Sequence, residues 1–371
     1  MSTLLAPLPT TGRVAVYDAP RGPFQLREYP LRPPRAGEAL VRIRMSTICR
    51  SDIHSWEGRR PNPCPGLLGH EIVGDLVALG DGVRADLRGD PLAPGDRITW
   101  SEYFVPGASY ARDVLDLPQK SPGVDKYGHL AATTEPHFHG GFGEYCYVVP
   151  GSWILKVPPE ISDEEATPVN CGVATMMSAT DVAGVSIGQA VVIQGLGLLG
   201  LYGAAIAKSR GARLVVGIDP VPARRALAPR FGVDLVLEPA ALGVAQLVER
   251  VRSACAPAGA DAVIEVCGVP DVVPVGLRML RVGGAYVIAG LVNPEAHLRL
   301  DGNLVLRNWI TLRGVHNYHP RHLLQALDFV AASRRRFPFH ELVDGKYDLG
   351  DVERAMRDAA EHRVLRAAIV P

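Results

Sequence analysis

The chain has 371 residues, more than one hydrophobic core usually organises, so two domains are expected. Lys and Arg number 39 and Asp and Glu number 39, a formal net charge of zero, which gives no electrostatic ground for a nucleic-acid partner or an anionic membrane. A content of 47% hydrophobic and 21% charged residues excludes disorder, and six cysteines are too few for a disulfide scaffold. Residues 1–9 carry no basic residue and have prolines at 7 and 9, so no export signal is read. A reducing, cytoplasmic setting is the expectation, with the cysteines as free thiols or metal ligands.

Short apolar runs at 40–44, 72–79, 97–100 and 145–149, separated by Gly and Pro turns, predict a β-rich, barrel-like first domain. Near Cys171 the texture changes. Strands at 190–194, 214–219, 234–237, 262–266 and 285–289 alternate with helices at 198–208, 223–231 and 244–253, which predicts a parallel, doubly wound α/β sheet. Pro229 conflicts with the helix at 223–231 and should kink or shorten it. The stretch 304–314 reads as a last strand. Helices at 321–333 and 351–361 and a strand at 366–370 lie apart from that sheet and read as returning to the first domain. The expected division is 1–172 with 317–371, and 173–316. The uncharged stretch 182–207 is long enough to cross a bilayer. Its six glycines punctuate a strand–turn–helix pattern, so no membrane span is read.

Gly195-Leu196-Gly197-Leu198-Leu199-Gly200 follows the strand at 190–194 and opens a helix. Glycines there let backbone N–H groups and the helix N-terminus approach a pyrophosphate with no Cβ between them. A tight turn in a Gly-rich chain is the bland alternative. Asp219, at the end of the next strand, is placed to accept hydrogen bonds from an adenosine ribose and to repel a 2′-phosphate. NAD is therefore expected over NADP, with Arg224 and Arg225 as the residues that would admit a phosphate. In the first domain Cys49-Arg50-Ser51-Asp52-Ile53-His54, Gly69-His70-Glu71 and Asn170-Cys171 bring two thiols and an imidazole. Two thiolates and one imidazole suit Zn²⁺ and leave a fourth position open, as at a catalytic zinc; singly, each has a bland reading as a core residue.

Together these motifs resemble the zinc-dependent alcohol dehydrogenases of the medium-chain dehydrogenase/reductase superfamily. Gly69-His70-Glu71-x2-Gly74-x5-Gly80-x2-Val83 is similar to the family's zinc signature, and Gly95-Asp96-Arg97, Gly140-Gly-Phe-Gly-Glu-Tyr145 and Arg281-Val-Gly-Gly284 follow in family order. The resemblance implies a Rossmann domain joined to a β-rich, GroES-like catalytic domain. It implies Cys49, His70 and Cys171 as ligands of one catalytic zinc, Ser51 as the hydroxyl that takes the alcohol proton, and His54 as the outer end of the relay. Asp52 would orient His70, and Glu71 would approach the metal during ligand exchange. Thr175 would line the nicotinamide, with Arg50 and Arg366 near the pyrophosphate.

Gly58-Arg-Arg-Pro61, Leu117-Pro-Gln-Lys120, Lys126-Tyr-Gly-His129 and Gly314-Val-His-Asn-Tyr318 resemble a subgroup associated with phosphonate catabolism and cyclitols. Arg59 and Arg60 would then meet an oxyanion, or else form a solvated surface pair. The family's structural-zinc cysteines are replaced by Gly107, Tyr110, Asp113 and Ser121, so no second zinc is expected. The expected activity is NAD(H)-linked interconversion of a polar alcohol and its carbonyl, in a homodimer or homotetramer. A zinc-free reductase of the same superfamily and a non-catalytic NAD-binding scaffold are the alternatives.

Overall fold

The computed structural model, which describes residues 8–371, is built on short strands through its first third. The strands run β1 (Thr11–Tyr17), β2 (Phe24–Pro30), β3 (Ala39–Thr47), β4 (Glu71–Leu79), β5 (Arg97–Trp100), β6 (Tyr103–Phe104), β7 (Asp125–Lys126), β8 (Tyr145–Val148) and β9 (Ile154–Lys156). Then come β10 (Ala190–Gln194), β11 (Leu214–Ile218), β12 (Leu235–Leu237), β13 (Ala260–Glu265), β14 (Leu280–Ile288), β15 (Thr311–Gly314), β16 (Gly345–Asp348) and β17 (Ala367–Val370). The chain divides into two compact units. One holds Met1–Cys171, His319–Arg334 and Phe339–Pro371; the other holds Gly172–Tyr318 and Arg335–Pro338.

In the first unit the sheet order is β16-β17-β3-β4-β5-β9, with β8 also on β3. The long β3–β4 antiparallel pair carries two register shifts, between Leu40 and Val41 and between Ile43 and Met45, which bend it as bulges do. Gly74 sits opposite Ile43, where a Cβ would lie 2.4 Å from the Arg42 carbonyl oxygen, so only glycine lets the strands close. The core on one face gathers Val41, Ile72, Ile98, Trp100 and Tyr127; a second cluster joins Ile53, Trp56 and Leu68 to Met356 and Ile369 of the returning tail.

In the second unit the order is β12-β11-β10-β13-β14-β15, and every pairing is parallel. Both faces of β10 are buried, as a parallel strand covered on both sides requires, and so its sequence is a continuous apolar run. Pro229 acts as its chemistry demands: the α-helix Pro222–Leu227 stops and a tighter turn, Ala228–Phe231, carries the chain on.

Several elements differ from the sequence reading. The stretch 304–314 is not one strand. Asp301 Oδ1 accepts from the Asn303 and Leu304 N–H groups at 2.9 and 3.2 Å, starting a helix over Gly302–Arg307, and the strand begins only at Thr311. Ile310 turns inward, 9% exposed, into the cluster with Val263 and Tyr286. The hairpin β1–β2 and the helix Gly172–Val182 had no counterpart in that reading. Among the described residues no helix is long and apolar enough to cross a membrane.

Candidate metal and cofactor sites

The metal-ligand candidates converge on one point of the first unit. Cys49 is the N-cap of the helix Arg50–Trp56, His70 and Glu71 stand where the chain enters β4, and Cys171 follows a short turn at Thr167–Asn170. Ligand atoms of Cys49, His70, Glu71 and Cys171 all lie within 4.8 Å of one another, and all four residues are buried. Asn170 pins the last ligand's turn to the His70 segment and to β5, donating to the His70 and Trp100 carbonyls at 3.0 and 2.7 Å.

Asp52, fully buried, organises the entry. Its Oδ2 accepts from the Cys49 N–H at 2.8 Å, and its Oδ1 accepts from the Gly69 N–H at 3.1 Å and faces His70 Nδ1 at 3.2 Å. His70 therefore presents Nε2 to the centre, which is how a metal-bound imidazole is held. The thiols are coupled. The hydrogen bond between them holds Cys49 well below its ordinary value and Cys171 well above it. Two sulfurs, one imidazole nitrogen and a carboxylate at this spacing fit Zn²⁺.

Glu71 hydrogen-bonds the Thr47 hydroxyl and lies 3.4 Å from Arg366 Nη1; burial pushes its carboxyl up to about 7, against the pull of Arg366. Arg366 is itself buried and donates to the Ile48 carbonyl at 2.6 Å, so in this unit it braces the ligand cluster from behind. Ser51 Oγ is 3.4 Å from His70 Nε2. His54, one helical turn on, is buried, and burial followed by Arg50 and Arg59 lowers its pKa, leaving a neutral ring with Nδ1 unpartnered. Arg50 is exposed at the helix start. Arg59 is half-exposed and paired with Glu57 at 2.8 Å, whereas Arg60 is partly buried.

Two further groups lie near the centre: Glu102, which no motif signalled, and His129, which ends the Lys126–His129 motif but was given no role. Glu102, buried, has Oε2 3.8 Å from His70 Nε2, and the His129 ring stacks on His70 at 5.7 Å between centroids. Each comes from a separate loop, so no local spacing ties either of them to His70. The lobe at 106–121 is tied by other means than thiols. Ser109 Oγ donates to Ser121 Oγ at 2.8 Å, Asp113 accepts from the Ser109 N–H at 2.8 Å, and Asp116 pairs with His319 and Arg321 at 3.0 and 2.7 Å.

In the second unit the glycine turn joins β10 to the helix Leu198–Ser209. A Cβ on Gly200 would lie 1.8 Å from the Gly195 carbonyl oxygen, and Gly195 has φ +104, so both are required by the turn itself. Gly197 is different. A Cβ there would meet nothing within 4 Å, so the open space in front of the helix N-terminus is a cradle that the protein's own packing does not explain. Leu198 is buried, and Leu199 is half-exposed within the helix's first turn. Thr175, half-buried, is on the helix Gly172–Val182, whose first residue approaches Leu198 and Leu199. Asp219 accepts from the Leu196 N–H at 2.7 Å and the Val221 N–H at 2.8 Å, which locks it beside the turn. Arg224 stands 3.7 Å from it, while Arg225 is held by Glu238 at 2.6 Å and by the Asp219 and Pro220 carbonyls.

Residues 35–159 match the alcohol dehydrogenase GroES-like domain and residues 199–332 the zinc-binding dehydrogenase domain. The chain is 31% identical over 307 residues to an L-threonine 3-dehydrogenase of Pyrococcus horikoshii, covering 80% of each chain. It is 26% identical to a 5-exo-hydroxycamphor dehydrogenase of Pseudomonas putida over 332 residues, 89% of this chain and 90% of that one. A crystal structure of an alcohol dehydrogenase from Thermotoga maritima superposes with TM-score 0.93 at 27% identity, covering 97% and 99% of the two chains.

Proposed function

The chain belongs to the zinc-type medium-chain dehydrogenase/reductase superfamily, and from that premise we propose that it is an NAD(H)-linked alcohol dehydrogenase working with one zinc per chain. The observation that carries the reading is the convergence of Cys49, His70, Glu71 and Cys171 within 4.8 Å, with Asp52 behind His70. Zinc held there supplies Lewis acidity that lowers an alcohol's pKa, and a nicotinamide dinucleotide supplies the hydride acceptor.

The chain's own groups do the rest. Ser51 Oγ, beside His70 Nε2, accepts the hydroxyl proton of the substrate. His54 lies on the same helix three residues on, and its neutral ring receives that proton and passes it outward. Glu71, kept at Arg366 and Thr47, is an acidic neighbour able to replace a departing ligand. In the other unit, the open cradle at Gly197 receives the pyrophosphate and Asp219 the adenosine ribose, with Arg224 placed to modulate that choice. Arg50, Arg366 and Thr175 are assigned to the cofactor by family resemblance. The lobe at 106–121 holds no zinc in this account; hydrogen bonds and the Asp116 pairs take its place.

Two subunits are proposed to pair along β15, the open edge of the parallel sheet, beside exposed Leu306 and Trp309. The substrate is a polar alcohol, phosphorylated, phosphonylated or cyclic polyols included. A panel of simple alcohols, cyclitols and phosphorylated alcohols, run with NAD and with NADP on the zinc-loaded protein, tests the reading. Reduced coenzyme should appear with at least one alcohol and only with zinc present. Turnover independent of zinc would move the chain to the zinc-free reductases.

A further inference from the structure

Stacked on the ring of His70, one imidazole has no role in the steps above. His129 is held there by the backbone. Gly128, with φ +69, packs so closely on Gly69 that a Cβ would lie 2.7 Å from the Gly69 carbonyl oxygen and 2.8 Å from its nitrogen. The Gly128 N–H also donates to the His139 carbonyl at 2.7 Å. This contact between two glycines sets the His129 ring against the His70 ring, 28° from parallel.

The tautomer of His129 follows from its partner. Asn62 Nδ2 donates to the Tyr17 hydroxyl oxygen at 2.6 Å, which turns Asn62 Oδ1 toward His129 Nδ1 at 2.8 Å. A carbonyl oxygen only accepts, so Nδ1 carries the proton and Nε2 presents a lone pair. That Nε2 is covered and has no hydrogen-bond partner. A buried acceptor left empty is costly, and such groups in native proteins call for a reason.

We propose that His129 is a specificity-determining residue whose Nε2 accepts a hydrogen bond from a second hydroxyl of the substrate, on the carbon next to the reacting carbinol. This rests on the dehydrogenase reading and narrows its substrate to vicinal diols and polyols. The His129 ring stacks on that of His70, a candidate ligand, with 5.7 Å between centroids, so the substrate group nearest to it is one close to the reacting carbinol. Glu102, 3.8 Å from His70 Nε2 and 3.9 Å from Lys126 Nζ, is a second acceptor flanking the same position, so a donor-rich substrate suits this wall better than a mono-alcohol.

The test uses zinc-loaded protein labelled with ¹⁵N-histidine, with trans-cyclohexane-1,2-diol and cyclohexanol as probes. The His129 resonances are assigned by their loss in His129→Gln. The diol should shift the His129 Nε2 resonance and cyclohexanol should not. In kinetics, the diol-to-mono-alcohol ratio of kcat/KM should fall about tenfold in His129→Phe, the loss of one neutral hydrogen bond, and recover in part in His129→Gln. Equal shifts with both probes, no shift with the diol, or an unchanged ratio overturns the proposal. If neither probe is turned over with either coenzyme, the dehydrogenase reading fails on that count, and the ¹⁵N shift still decides the role of His129.

Discussion

Replacing Asp52 by Asn tests how the ligand set is held. The carboxylate makes three contacts with two oxygens: Oδ2 to the Cys49 N–H, and Oδ1 to the Gly69 N–H and His70 Nδ1. An amide has one acceptor oxygen, so the favoured flip keeps the Oδ1 pair and sets an NH₂ against the Cys49 N–H. That leaves a buried donor facing a donor at the first residue of the ligand helix. The lost bond to a charged acceptor costs about 1.5–3 kcal/mol, and the weaker hold on His70 should lower zinc affinity by about 10–100-fold. Competition with a chromophoric chelator measures the affinity, and a urea melt of the chelated protein measures the stability. Zinc affinity within threefold of the parent, together with an unchanged melt, would refute the claim that Asp52 positions the cluster.

Asp219→Ser should move coenzyme preference toward NADP, read as the ratio of kcat/KM for the two; equal use of both by the parent would point to Arg224 as a phosphate partner. His54, His129 and His139 all have folded pKa values below the usual 6.5, chiefly through burial, so protons bind the unfolded chain first. Their contribution is present above about pH 6.5 and is lost as pH falls below it; followed by NMR in the folded protein, these three rings should titrate below pH 6.5, and a midpoint above it would contradict this. Light scattering at micromolar concentration should show at least a dimer. Leu306→Asp, on an exposed position beside β15, should weaken that dimer without unfolding the subunit, whereas Ile310→Lys should destabilise the fold because Ile310 faces the core.

The doubly wound sheet was legible because its strands are continuous apolar runs and the glycine turn has a fixed spacing. The candidate ligands were legible because Cys49 opens the short segment that also holds Asp52 and His54, and His70 and Glu71 are neighbours. What the sequence hid is long-range. Glu102 and His129 reach His70 from other loops, and the contact of Gly128 with Gly69 that places His129 leaves no local pattern. At 304–314 the apolar composition read as strand, yet the Asp301 cap starts a helix and Trp309, with φ +54, turns the chain before β15. The hairpin β1–β2 was passed over because β2 is mostly exposed and carries no apolar run.

Elemental analysis of the purified protein bears most directly on the central claim. The account predicts about one zinc per chain, lost in Cys49→Ser and in Cys171→Ser while the fold of the Gly172–Tyr318 sheet persists. Two tightly held zincs per chain, or a parent protein that retains none after exposure to excess zinc, would contradict it.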